Sequence, residues 1–148
     1  MALSSLEKIL FLKSVHLFDQ IPSEQLVKVA QIAQEVEFGP GERFIKQGES
    51  GDCLYVIVEG EAEVTLAGAG VVSLMPAKSI IGEMSILSGQ PRSADCRAKT
   101  HLFALKIRRQ DFWLLMEEWP EIALGIIKVL VHNLEVINQK LQSQPVAA

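Results

Sequence analysis

The chain has 148 residues, 49% of them apolar, and a formal charge of −4. That is enough for one domain with a real core and too little for two of full size. The mild acidity excludes a broad nonspecific nucleic-acid surface, which draws on clustered Lys and Arg. The cysteines, Cys53 and Cys96, form no close-spaced pair and are expected as reduced, partly buried side chains of a cytoplasmic protein. His16, His101 and His132 are scattered and show no metal-ligand spacing, so each is read as a surface or packing residue. The N-terminal MALSSLEKILFLKS carries Glu7 and Lys8 within its apolar pattern and lacks a cleavage-like end, unlike a secretion signal. The longest apolar stretch, 122–131, contains Lys128 and falls far short of the ~20 residues of a membrane span.

In chain order, Leu6, Ile9 and Leu10 predict a short amphipathic helix over 3–14, capped by Ser4 or Ser5. Pro22, Ser23 and Glu24 open a second helix, 22–33, with Pro22 at its first position and Leu26, Val29, Ala30 and Ala33 on one face. From Glu35 the pattern becomes short apolar runs divided by glycine turns at Gly39-Pro40-Gly41, Gly48 to Asp52 and Gly60. Strands are expected around Val36–Phe38, Phe44–Ile45, Leu54–Val58, Ala62–Leu66, Val71–Leu74, Ala94–Arg97 and Leu102–Ile107. Short strands at this spacing leave no room for crossover helices and favour a small antiparallel barrel or jelly roll over 35–107. The domain is therefore expected as mainly β: helical lead-in 1–34, barrel 35–107 and C-terminal helices 108–142. The last helix repeats apolar residues at Ile122, Ile126, Val129 or Leu130, Leu134, Ile137 and Leu141, a face that folds across the barrel or pairs with a second copy. The QSQPVAA tail is expected to fray.

Between the fifth and sixth of these runs lies GEMSILSGQPRSA, Gly82 to Ala94. Gly82 permits a tight bend, and Glu83 to Leu87 is long enough for one helical turn with free amides. Arg92 brings a planar five-donor fork suited to phosphate oxygens. Glu83, when ionised, only accepts hydrogen bonds. A ligand with both an anionic phosphate and a free hydroxyl would use both residues. No GxxxxGK[ST] loop occurs, and no nucleophile, base and orienting group come together, so an enzyme is not indicated.

The GESGDCLYVIVEGEAEV turn and strand, the GEMSILSGQPRSA cassette and the closing helices together resemble the cyclic nucleotide-binding domain family, to which the catabolite-activator regulators and protein-kinase regulatory subunits belong. The resemblance implies a double-stranded β-helix, that is, a jelly-roll-like barrel with flanking N- and C-terminal helices. It further implies non-catalytic binding of cyclic AMP or cyclic GMP as a sensor, with no other cofactor. Arg92 would pair with the cyclic phosphate, and Glu83 would accept the ribose 2′-hydroxyl. Gly82, Met84 and Ser85 would shape the turn, Ser93 would touch phosphate or purine, and Ala94 would leave space. Val58 and Leu74 are placed near the base, and Val129, Leu130 and Asn133 on the last helix are candidate lid residues. The SADCRAKT run looks like bacterial members, and cyclic AMP is slightly favoured. Expected partners are the nucleotide, a homodimer mate along the last helix and a covalently linked effector domain absent from this chain, which would then be a cytoplasmic module of a larger protein, in one alternative a membrane-associated one. No direct nucleic-acid contact is expected. The alternative is a protein-interaction scaffold that keeps the cassette without using a ligand.

Overall fold

The computed structural model describes residues 2–143. Helix α1 (Ser5–Lys13) starts at Ser4 in a capping box, the Ser4 hydroxyl accepting from the Glu7 amide while the Glu7 carboxylate accepts from the Ser4 amide. A 3-10 turn (His16–Phe18) leads to α2 (Ser23–Ile32). Pro22 is the N-cap of α2 rather than its first helical residue; its ψ of 140° is extended, and its carbonyl accepts from Gln25 and Leu26. Strands follow at β1 (Gln34–Phe38), β2 (Arg43–Ile45), β3 (Cys53–Glu59), β4 (Ala62–Leu66), β5 (Gly70–Met75) and β6 (Ile80–Ile81). Helix α3 (Glu83–Ser88), β7 (Asp95–Ala98), β8 (Leu102–Arg108), α4 (Arg109–Glu118) and α5 (Pro120–Ser143) complete the described chain. Gln142 and Ser143 are thus helical, and the rest of the tail expected to fray lies outside the described residues.

The expected closed barrel is corrected by the strand pairing. Two separate antiparallel sheets form, ordered β1-β8-β3-β6 and β2-β7-β4-β5, and among the described residues no ladder joins an edge of one to an edge of the other. The short-strand pattern foretold the strands, but closure depends on which edges meet, and sequence spacing does not encode that. Strand β6, two residues long, was too short to show a period.

Apolar residues set three layers. On β3 and β8, Leu54, Val56, Leu105 and Ile107 face the helices and pack with Phe18, Leu26, Phe112, Ile122 and Ile126. The alternate residues Tyr55, Ile57, Leu102 and Ala104 face the second sheet with Ile45, Ala62, Cys96 and Ala98. Burial on both faces explains why these two strands read as nearly continuous apolar runs. Helix α5 packs only with its first half: Ile122, Gly125, Ile126 and Val129 are buried, whereas Leu134, Ile137 and Leu141 are exposed. At Gly125 a Cβ would sit 3.0 Å from the Ile21 side chain and 3.2 Å from the Gln20 backbone, so the helix crosses the preceding turn closely. No helix among the described residues is long and apolar enough to cross a membrane.

Candidate functional site

The cassette is a six-residue helix held between two left-handed glycines. Gly82 (φ +91°) turns the chain from β6 into α3, and Gly89 (φ +77°) ends it by donating its amide to the Ser85 carbonyl at 2.8 Å. Ile86 is fully buried, and its carbonyl accepts the Trp113 indole N–H at 2.8 Å, which pins the cassette to α4. At Gly82 the requirement for glycine is double. Its φ disfavours any L side chain, and a Cβ would lie 2.2 Å from Arg92 Nη1.

Arg92 is 7% exposed. Its Nη2 donates to the Cys53 carbonyl at 2.5 Å and to Cys53 Sγ at 3.4 Å, and Nη1 donates to the Gly82 carbonyl at 3.4 Å. Its backbone is fixed by a reciprocal pair: the Arg92 amide donates to Glu49 O and the Gly48 amide to Arg92 O, both at 2.9 Å. The glycine turn 48–51 and the cassette are therefore one unit. Among the described residues no carboxylate lies in ion-pair contact with Arg92. Carbonyl dipoles offset part of the cost of burying a guanidinium, but its full charge has no counter-charge.

Gly82, Glu83, Met84, Ser85, Arg92, Ser93 and Ala94, all seven expected ligand residues, line one cavity of about 180 Å³. Ser85 is buried and Met84 is 75% exposed at the rim. The remaining wall comes from Ile45, Val64, Met75, Ile80, Ile81 and Cys96. Burial raises the Glu83 carboxyl above its ordinary range, against a smaller opposing pull from its own amide. Burial likewise pushes the Cys96 thiol up to about 11, with Arg92 opposing and Asp95 adding to the shift, so near neutral pH it is an uncharged wall residue.

The candidate lid residues are placed differently. Val129, Leu130 and Asn133 line a neighbouring cavity of about 280 Å³ that shares Ile80 and Glu83 with the first. Val129 is part of the core, and Asn133 Oδ1 lies 3.1 Å from His16 Nε2. His16 also sits edge-on to His132, ring centroids 6.2 Å apart, so these two histidines do not stand apart as the sequence suggested. Val58 and Leu74 do not line the cavity; Val58 packs against the helix-side core and Leu74 is exposed. The part of the cavity wall that sequence reading missed includes Val64 and Cys96, which are direct cross-strand partners. Their signal was the alternation within β4 and β7, readable only once the register between them is known.

Residues 35–118 match the family model described as "Cyclic nucleotide-binding domain". The cAMP-dependent protein kinase regulatory subunit of Emericella nidulans is 33% identical over 111 residues, 72% of this chain and 26% of that protein. The regulatory domain of Toxoplasma gondii PKA, solved with cAMP, is 29% identical with a TM-score of 0.73, over 84% of this chain and 49% of that one. The regulatory subunit of a cAMP-independent protein kinase A from Trypanosoma brucei is 26% identical with a TM-score of 0.73, over 93% and 51%. Plant and bacterial potassium channels also match, so the relatives show no bacterial bias, contrary to the reading of the SADCRAKT run. The chain spans about a quarter of the length of the curated kinase relatives it matches. The chain belongs to the cyclic nucleotide-binding domain family.

Proposed function

We propose that this member of the cyclic nucleotide-binding domain family is a sensor that holds cyclic AMP, in preference to cyclic GMP, in the cavity between the cassette and the second sheet. The observation that carries the reading is Arg92, a buried guanidinium without a carboxylate partner among the described residues, beside Glu83 in the same cavity. A cyclic phosphate supplies the missing charge, and charge-assisted bonds to it are about twice as strong as neutral ones. Gly82, Met84 and Ser85 shape the turn, Ser93 and Ala94 flank the phosphate, and Glu83 accepts the ribose hydroxyl. The cavity, at about 180 Å³, is below the ~300 Å³ of ordinary ligand pockets. Opening toward the neighbouring cavity would add room for the base and bring Leu130 and Asn133 over it as lid residues. The preference for cyclic AMP leans on the kinase relatives named for it. Calorimetric titration of nucleotide-stripped protein tests the reading: saturable binding of cyclic AMP, tighter than cyclic GMP, is expected, and no heat up to roughly millimolar of either sinks it.

Glu83 gives the titration a pH signature. The hydroxyl acceptor is the carboxylate, so binding favours the deprotonated form and affinity falls as pH drops through the Glu83 pKa of the free protein. Because burial raises that pKa, the decline begins at higher pH than for an ordinary carboxylate. Glu83→Gln is expected to bind more weakly, with a flat profile over the same interval. An equally pH-dependent Gln variant would remove Glu83 from the ligand.

The exposed stripe of α5 supports a homodimer. Ile127, Leu130, Leu134, Ile137 and Leu141 recur at alternating three- and four-residue steps, a coiled-coil seam, and are 37–60% exposed. Sedimentation equilibrium is expected to show a dimer at micromolar concentration and a monomer for Leu134→Glu; a wild-type monomer refutes the pairing. In this reading the module is cytoplasmic, passes its signal to a covalently linked effector domain and makes no direct nucleic-acid contact. A ligand-free scaffold is the second reading, favoured by one observation: Arg92 already has carbonyl partners at Cys53 and Gly82. The same titration separates the two.

A further inference from the structure

On the other side of the cassette, α4 and the end of β8 border a larger cavity of about 770 Å³. Lys106, Arg108 and Arg109 line it, and among the described residues none of the three has a side-chain ion pair or hydrogen bond. Asp52 and Glu117 also border it, leaving one positive charge in excess on a chain that is net negative. Its apolar surface is supplied by Trp113, 39% exposed, and Leu114, 57% exposed. Unpaired cations around exposed apolar side chains are complementary to a segment that carries both carboxylates and an apolar residue.

We propose that this groove is a docking surface for an acidic peptide segment of a partner, seated with an apolar side chain on Trp113 and Leu114 and its carboxylates on Arg108, Arg109 and Lys106. The groove is wired to the cassette in two places. Trp113 donates to Ile86 O of α3, and Arg109 donates its amide to Asp52 O, the carbonyl next to the Cys53 carbonyl that accepts from Arg92. The Arg109 guanidinium also reaches the glycine that ends α3, lying 3.1 Å from where a Gly89 Cβ would be. Ligand that draws on Arg92 thus shifts the backbone that positions α4, and peptide and nucleotide change each other's affinity by one common factor. That linkage, unlike the docking itself, rests on the nucleotide reading above.

The experiment follows the Trp113 indole N–H by ¹⁵N NMR during titration with a synthetic peptide of Glu and Asp around a central Leu-Phe pair. Saturable shifts are expected, weakened roughly tenfold in Arg108→Glu and in Leu114→Ser, with cyclic AMP binding unchanged in both. Controls are the same peptide with Lys for each acid, inorganic phosphate and a single-stranded oligonucleotide. No shift up to roughly millimolar peptide overturns the proposal. So does equal binding of the Lys peptide, equal shifts from phosphate alone, or tighter binding of the oligonucleotide. Peptide binding in a protein that ignores cyclic nucleotides upholds the dock and defeats the nucleotide reading. Binding of both without mutual effect defeats only the linkage.

Discussion

Arg92→Ala is expected to weaken cyclic nucleotide binding by about 2–5 kcal/mol, roughly 30- to 5,000-fold, the range for truncating one member of a buried charged pair. The effect on the fold is expected to be far smaller, because two changes oppose. The Cys53 and Gly82 carbonyls lose their donors, while a buried charge without a counter-ion is removed. Calorimetry and thermal unfolding on the same sample separate the terms. A variant that melts like the wild type and binds as tightly would show that Arg92 does not meet the phosphate. Arg92→Lys should recover little, since an ammonium lacks the planar fork that spans Cys53 O and a phosphate together.

Gly82→Ala is expected to damage both the stability of the cassette and its binding. A left-handed backbone costs an L residue about 1–2 kcal/mol, and crowding a packed site adds about 1–3 kcal/mol. Both apply here, at φ +91° and 2.2 Å from Arg92 Nη1. Stability should therefore fall by about 2–5 kcal/mol, and the displaced guanidinium should cost affinity as well. Gly41→Ala is the control: its φ is +84°, with nothing within 4 Å of the added Cβ, so only the backbone cost applies. Equal losses in urea unfolding for the two variants would mean that the contact with Arg92 is not tight.

How much of this was legible beforehand varies with the range of the interaction. Gly82 to Ala94 announced itself because its turn, helix and arginine lie within one short stretch, and all seven chosen residues share one cavity. The strands were legible too, β3 and β8 as apolar runs because they are buried on both faces. The far wall of the cavity was not, since Ile45, Val64, Met75 and Cys96 come from four strands whose registers are set by pairing. For the same reason the sheets' failure to close was invisible. The apolar pattern of α5 gave its length but not its division: Ile126 and Val129 meet the core, while Leu134 and Leu141 continue the same pattern past the end of it.

That division makes α5 a lever. With its fulcrum at Gly125, where the missing side chain lets the helix rest on Gln20 and Ile21, the arm to Leu141 is about 24 Å at 1.5 Å per residue. A tilt of about 10° at the fulcrum carries Leu141 through about 4 Å, roughly three-quarters of the rise of one helical turn. Sub-ångström repacking around Val129, beside the cavity that shares Glu83, is thereby multiplied several-fold at the far end of the helix.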